Sequence, residues 1–302
     1  MSQPIRVLFV DDEERILRSL ALQFRRDYEV LVESDPLRAL ERLRGETVQV
    51  IVSDQRMPQM SGAELLARAR ELQPAALRIL LTGYSDQQAA MDALNEGGIF
   101  RYLAKPWDPR EMAETLRQAA RLAVQGAAPA AAPAPAEVSL NLLLLDQAPE
   151  TLACVGAFCS AGGHRLLRAD SLDEALRWLN EEPIDLLVSD LCLAGADTAP
   201  LLKSLAQAHP RLLSLVVTPF CDTQALLKLI NEAQIFRYLP KPIRKGLFDK
   251  GLRAAAEQAL IYRQQPQRAV ARLAEAPREA PERERVGSLL GMLGRLRERL
   301  SA

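Results

Sequence analysis

The chain has 302 residues, 48% of them hydrophobic and 25% charged, with 38 Lys and Arg against 39 Asp and Glu. That length can hold more than one core, and a net charge of −1 argues against the broad basic surface of a nucleic-acid binder. No apolar run reaches the roughly 20 residues of a membrane span, and the polar opening Met1 to Arg6 is unlike a secretory signal, so a cytoplasmic protein is expected.

From the N-terminus, short apolar runs alternate with helical patterns. Strands are expected at Ile5 to Val10, Tyr28 to Val32, Val48 to Ser53, Leu77 to Leu81 and Phe100 to Leu103. Helices are expected over 13–25, 36–44, 61–72, 86–96 and 108–123. Val7-Leu8-Phe9-Val10 and Val50-Ile51-Val52 are apolar without alternation, as strands buried on both faces are. A parallel sheet sandwiched by helices is the consequence. Gly126 to Pro135 is almost all Ala and Pro, a composition that favours an extended spacer.

Beyond the spacer the order repeats, from Leu140 to about Arg263. Ile99-Phe100-Arg101-Tyr102-Leu103-Ala104-Lys105-Pro106 returns as Ile235-Phe236-Arg237-Tyr238-Leu239-Pro240-Lys241-Pro242, an offset of 136 residues. At the same offset Asp54 becomes Asp190, Thr82 becomes Thr218 and Lys105 becomes Lys241. A repeat this long is a duplicated domain rather than a solenoid unit. The expected organisation is a first domain over 1–125, a linker over 126–137, a second domain over 138–264 and a tail over 265–302. Pro266, Pro277 and Pro281 interrupt the tail. Val286, Leu289, Leu293, Leu296 and Leu300 then mark one apolar face of a short helix. That stripe is short for an independent coiled coil and fits a helix docking on its own protein. Cys154, Cys159, Cys192 and Cys221 form no CxxC or zinc-like spacing. His164 and His209 are isolated and read as surface or packing residues.

Strand order is not legible in the sequence, but α/β domains of this size and pattern are commonly flavodoxin-like, with ligands at the carboxyl ends of the first and third strands. Asp11 and Asp12 follow the first strand, Asp54 the third, Thr82 the fourth and Lys105 the fifth, so all fall on one edge. Clustered carboxylates repel, and a hard divalent cation relieves the repulsion. Mg²⁺ suits such a site because it keeps waters and accepts phosphoryl oxygens. With Mg²⁺ and Lys105 at hand, an Asp can take a phosphoryl group as a covalent acyl phosphate. Capping of the helix that begins near Glu13 accounts for one of Asp11 and Asp12, not for both, and says nothing of Asp54.

These residues carry a family resemblance. The chain resembles two response-regulator receiver domains of bacterial two-component signalling, over about 5–124 and 139–263. The first copy has Asp11-Asp12, then Asp54-Gln55-Arg56-Met57-Pro58 with Gly62, then Thr82-Gly83 and Lys105-Pro106. The resemblance implies two flavodoxin-like (βα)5 folds with five-stranded parallel sheets, plus a helical tail. It implies Asp54 as phosphoacceptor and a Mg²⁺ site of Asp11, Asp12, Asp54 and the Arg56 backbone carbonyl. It also implies Thr82 and Tyr102 as a switch pair, Lys105 as phosphoryl contact and a cis Lys105-Pro106 peptide. In the second copy Asp146, Asp190, Thr218 and Lys241 remain, but Gln147 stands for Asp12, Ala194 for the motif proline and Pro219 for Gly83. Asp190 is a second candidate phosphoacceptor there, beside its plain reading as a turn residue, and Tyr238 reads equally as switch or core. Loss of a ligating carboxylate weakens Mg²⁺ by roughly tenfold or more.

The function expected is a non-enzymatic phosphorelay regulator. A sensor histidine kinase or histidine phosphotransfer protein charges Asp54, and an unidentified downstream protein reads the result, with a homodimer as a further form. The stretch after Gln264 is too short for a DNA-binding effector domain, and neither nucleic acid nor membrane is expected as a partner. Two other readings are a structural adaptor that uses neither site and an Asp-nucleophile phosphatase of the haloacid-dehalogenase type. The phosphatase places its nucleophile on the first strand, which disfavours it here. Gly97-Gly98-Ile99-Phe100-Arg101-Tyr102 and Lys105-Pro106-Trp107 also resemble receivers attached to cyclic-dinucleotide phosphodiesterase or hydrogenase-regulator outputs.

Overall fold

The computed structural model describes residues 4–83, 95, 98–125, 139–219, 223–264 and 280–300. It divides into two compact units, Met1–Ala130 and Ala131–Ala302. The helix expected over 86–96 (apart from Asn95), the 126–137 linker, Cys221, Pro266 and Pro277 lie outside the described residues, as do the side chains of Leu293, Leu296 and Leu300.

In the first unit β1 (Arg6–Val10), β2 (Glu29–Glu33), β3 (Val50–Asp54), β4 (Leu77–Thr82) and β5 (Arg101–Ala104) form one parallel sheet in the order β2-β1-β3-β4-β5. The continuous apolar runs take its interior. Val7 to Val10, Val50 to Val52 and Ile79 to Leu81 are all buried, which only strands covered on both faces require. The edge strand β2 is less apolar and half-exposed.

Helices α1 (Glu14–Phe24), α2 (Pro36–Gly45), α3 (Gly62–Leu72) and α4 (Pro109–Gln125) cover this sheet. Leu17, Leu20 and Phe24 recur at helical spacing on α1 and are buried, with Phe24 stacked on Phe9 at 6.0 Å. The Asp35 carboxylate accepts the Leu37 N–H at 2.8 Å and Pro36 opens α2, so that helix starts where its chemistry dictates. Ser61 caps α3 by accepting the Glu64 N–H.

The second unit repeats the architecture. Strands β6 (Asn141–Leu145), β7 (Arg165–Arg168), β8 (Leu186–Ser189), β11 (Leu213–Thr218) and β12 (Arg237–Pro240) are parallel in the order β7-β6-β8-β11-β12. An antiparallel hairpin of β9 (Cys192–Leu193) and β10 (Ala196–Asp197) follows β8, an element the repeat did not foretell. Helices α5 (Pro149–Gly162), α6 (Leu172–Glu181), α7 (Ala199–Ala208), α8 (Thr223–Ala233) and α9 (Lys245–Gln264) complete it. Leu142, Leu144, Val188, Leu215 and Val217 pack with Val155, Phe248 and Leu252 as one core.

The tail departs from expectation. A single helix α10 runs over Ala280–Leu300, longer than the stripe suggested. Pro281 sits in its first turn, where the missing N–H costs nothing, and does not interrupt it. Val286 is buried as α10 packs against α7.

Candidate functional site

Register builds the first site. Phe9 pairs with Val52 and Val10 with Ser53, so Asp11 and Asp54 end adjacent strands at the point where the sheet order reverses. Asp54 pairs with Leu81 and Thr82 with Ala104, which brings Thr82 and Lys105 to the same edge. Asp11, Asp12 and Asp54 can place one carboxylate oxygen each within 4.8 Å of the others. Asp11 and Asp54 are buried, and Asp12 is exposed at the mouth.

The Lys105 ammonium lies 2.6 Å from Asp54 Oδ1 and 3.0 Å from Asp11 Oδ2. Burial works against its charge, but the hydrogen bonds and charges of Asp54 and Asp11 outweigh that and raise its pKa. Burial raises the Asp11 pKa, against the Glu13 N–H and Lys105, which lower it. Asp11 Oδ1 accepts that Glu13 N–H at 2.9 Å, so the helix-start role and the pocket role fall on the same side chain. Asp54 Oδ2 accepts the Arg56 N–H at 3.0 Å. Thr82 is buried and its hydroxyl donates to the Gly83 carbonyl at 3.2 Å; Tyr102 is buried. Lys105-Pro106 and Lys241-Pro242 are both cis.

Further supports hold this pocket, two of them, Gly62 and Gln55, already in the quoted motif, and one, the serine before each Asp, passed over by sequence reasoning. Gly62 approaches the Asp54 backbone so closely that a Cβ would lie 1.9 Å from its carbonyl oxygen. Gln55 is buried and its Oε1 accepts the Ala63 N–H, tying β3 to the start of α3. Ser53 donates to the Asp54 carbonyl at 2.8 Å, and Ser189 does the same to Asp190 at 2.7 Å. The shared offset of the two serines was the available signal.

The second site is bridged by its lysine in the same way. Lys241 Nζ lies 2.9 Å from Asp146 Oδ2 and 2.5 Å from Asp190 Oδ2. These carboxylates raise the Lys241 pKa against the opposing effect of burial. The Thr218 hydroxyl donates to Asp190 Oδ1 at 2.8 Å, so both oxygens of Asp190 are engaged. Gln147 is exposed and donates outward to the Asp170 carbonyl. Thr198 stands where Gly62 stands in the first copy, and its hydroxyl donates to the Asp190 carbonyl at 2.6 Å. Tyr238 is buried and donates to the Pro219 carbonyl at 3.2 Å. Among the described residues only the first pocket gathers three carboxylates.

The histidines lie elsewhere. The His164 ring lies 5.4 Å from that of Phe158 at a tilt of 42°, and its Nδ1 accepts the Leu140 N–H. His209, with Arg211, Tyr262 and Arg263, lines a groove at the amino-terminal edge of the second sheet. Among the described residues no helix is long and apolar enough to cross a membrane.

Comparison with known proteins accords with this geometry. A hydrogenase transcriptional regulatory protein, HoxA of Bradyrhizobium diazoefficiens, is 42% identical over 116 residues, 38% of this chain and 24% of its own length. The transcriptional regulatory protein GlrR of Escherichia coli K12 is 33% identical over 129 residues, 42% of this chain and 28% of its own. The chain thus spans about a quarter of the length of these curated relatives. Among solved structures, the signal receiver domain of an HD domain-containing protein from Pseudomonas fluorescens Pf-5 is 38% identical over 41% of this chain and 92% of its own, with a TM-score of 0.40. The profile of the response regulator receiver domain matches residues 7–117 and again 142–253. With both matches falling on the two sheets and their strand-end Asp, Thr and Lys, the chain belongs to the response-regulator receiver family as a tandem pair of receiver domains.

Proposed function

We propose that this chain is a phosphorelay response regulator in which Asp54 takes a phosphoryl group from the phosphohistidine of a sensor histidine kinase or histidine phosphotransfer protein. The observation that carries this reading is the Lys105 ammonium held against both Asp54 and Asp11, with Asp12 beside them. The N–P bond of the donor breaks, a bond forms from phosphorus to an Asp54 carboxylate oxygen, and the freed imidazole takes up a proton.

Three carboxylates against one ammonium leave the pocket at −2, counting Asp11, Asp12, Asp54 and Lys105. An all-oxygen donor set of that charge fits a hard divalent cation. Asp11, Asp12, Asp54 and the Arg56 carbonyl would hold Mg²⁺, which when bound offsets repulsion between the carboxylate and the incoming phosphoryl group. Lys105 keeps its charge and exchanges Asp54 for a phosphoryl oxygen. The Thr82 hydroxyl turns from the Gly83 carbonyl to the phosphoryl group, and Tyr102 moves with it as the readout.

Output runs through protein contacts in the cytoplasm, with a downstream protein or a second copy, and needs no enzymatic turnover, nucleic acid or membrane. In this reading 1–125 is the switch, 126–137 a spacer and 138–264 a receiver that is a weak or inactive phosphoacceptor, followed by the 265–302 tail. The Thr218 bond to Asp190 and the loss of Asp12's counterpart favour an adaptor role for that second receiver.

Incubation of the full chain with a small-molecule phosphodonor and Mg²⁺ tests the assignment. Intact-protein mass should show an added phosphoryl group on the wild type and on Asp190→Asn, and almost none on Asp54→Asn. Labelling that persists in Asp54→Asn and vanishes in Asp190→Asn would reverse it.

A further inference from the structure

The duplication supplies its own control for the outer face of α7. In the first receiver the matching helix α3 shows that face to solvent: Arg68 pairs with Glu64, their side chains 51% and 49% exposed. In the second receiver the same positions are Ser204 and Pro200, both buried, and Ala67 has become Lys203. Lys203 is 2% exposed. A solvated charged face has been replaced by small side chains around one long cation.

What covers that face is α10. Val286 is buried against it, and the Ser204 hydroxyl, which donates to the Pro200 carbonyl at 2.8 Å, also lies 3.3 Å from the Val286 carbonyl. Lys203 is the junction of three helices. Its ammonium lies 2.6 Å from Glu232 Oε2 on α8 and in direct contact with Glu282 Oε1 on α10. A lysine is almost never buried unless paired, and a buried ion pair left without one partner is strongly destabilised. Glu282 and Val286 are one turn apart, so they share a helix face. The cation and the apolar floor therefore recognise one helix face together.

We infer that the outer face of α7 in the second receiver is a docking surface for an amphipathic helix bearing a carboxylate one turn before its central apolar residue, and that the chain's own α10 fills it as a latch keyed by Lys203. A partner that displaced the latch would present the same chemistry. None of this depends on phosphorylation of Asp54.

Amide hydrogen exchange on the full chain, without phosphodonor, tests the latch. Glu282→Gln should speed exchange over residues 284–291 by about 10- to 100-fold, the range expected for losing a hydrogen bond to a charged group. The amides of β6 and β11 should stay protected, which separates release from unfolding. Lys203→Glu should release the helix as well, and Lys203→Glu with Glu282→Lys should restore much of the protection. If Lys203→Glu fails to fold, Glu282→Gln alone decides. Unchanged exchange in Glu282→Gln, or a double variant no better than Lys203→Glu, would overturn the inference.

Discussion

Gly62 is the tightest point of the first pocket. A methyl group there would press on the Asp54 carbonyl oxygen, and backbone cannot yield as a flexible side chain can. Gly62→Ala should therefore cost about 1–3 kcal/mol, as overpacking does, measured by denaturant unfolding, and should slow phosphorylation because the displaced loop carries the Arg56 N–H. Asp12 has the opposite sign. It is exposed and adds a third negative charge, so Asp12→Asn should leave the metal-free protein as stable or slightly more so while weakening Mg²⁺ about tenfold, read by calorimetric titration. The pocket lysines make a pH statement. Their folded pKa values lie above the ordinary 10.5, because the paired carboxylates outweigh burial. Their contribution is fully present below pH 10.5 and is lost as pH rises through the folded values. Lys105→Met should accordingly remove a stability loss seen only in the alkaline arm of a pH–stability curve.

At the scale of elements, strands and most helix starts were legible because their causes are local. Short unbroken apolar runs bounded by polar residues fit interior strands, and Asp35-Pro36 and Ser61 with Glu64 write helix starts directly. The β9–β10 hairpin was not legible. Leu191-Cys192-Leu193-Ala194 reads as a continuation of apolar chain, and its turn needs positive φ at Ala194 and Gly195. That turn goes with Thr198 at the Gly62 position, whose hydroxyl reaches the Asp190 carbonyl. Loop chemistry across elements is similarly invisible. The Gln73 side chain accepts the Val48 N–H and donates to the Leu43 and Glu46 carbonyls, joining the end of α3 to the α2–β3 connection. Gln73→Ala should cost about 1–3 kcal/mol by leaving those backbone groups unpaired, checked by chemical denaturation of the full chain.

Over the whole molecule, duplication kept the framework and altered the chemistry. Mg²⁺ should therefore act mainly on the first receiver. At a hundred times its dissociation constant it should add about 2.7 kcal/mol to the unfolding of the first receiver and no more than about 1.4 kcal/mol to the second, a split that calorimetry or residue-resolved exchange would display. The sequence by itself determined the tandem receiver architecture and placed Asp11, Asp12, Asp54, Thr82 and Lys105 at one sheet edge, because strand ends and a fixed offset are one-dimensional properties. Only the tertiary structure showed that Asp190 already has Thr218 and Lys241 on its oxygens, and that α10 covers α7 through Lys203. Those contacts join residues far apart in the chain, and which surface a helix buries depends on what the fold brings to meet it.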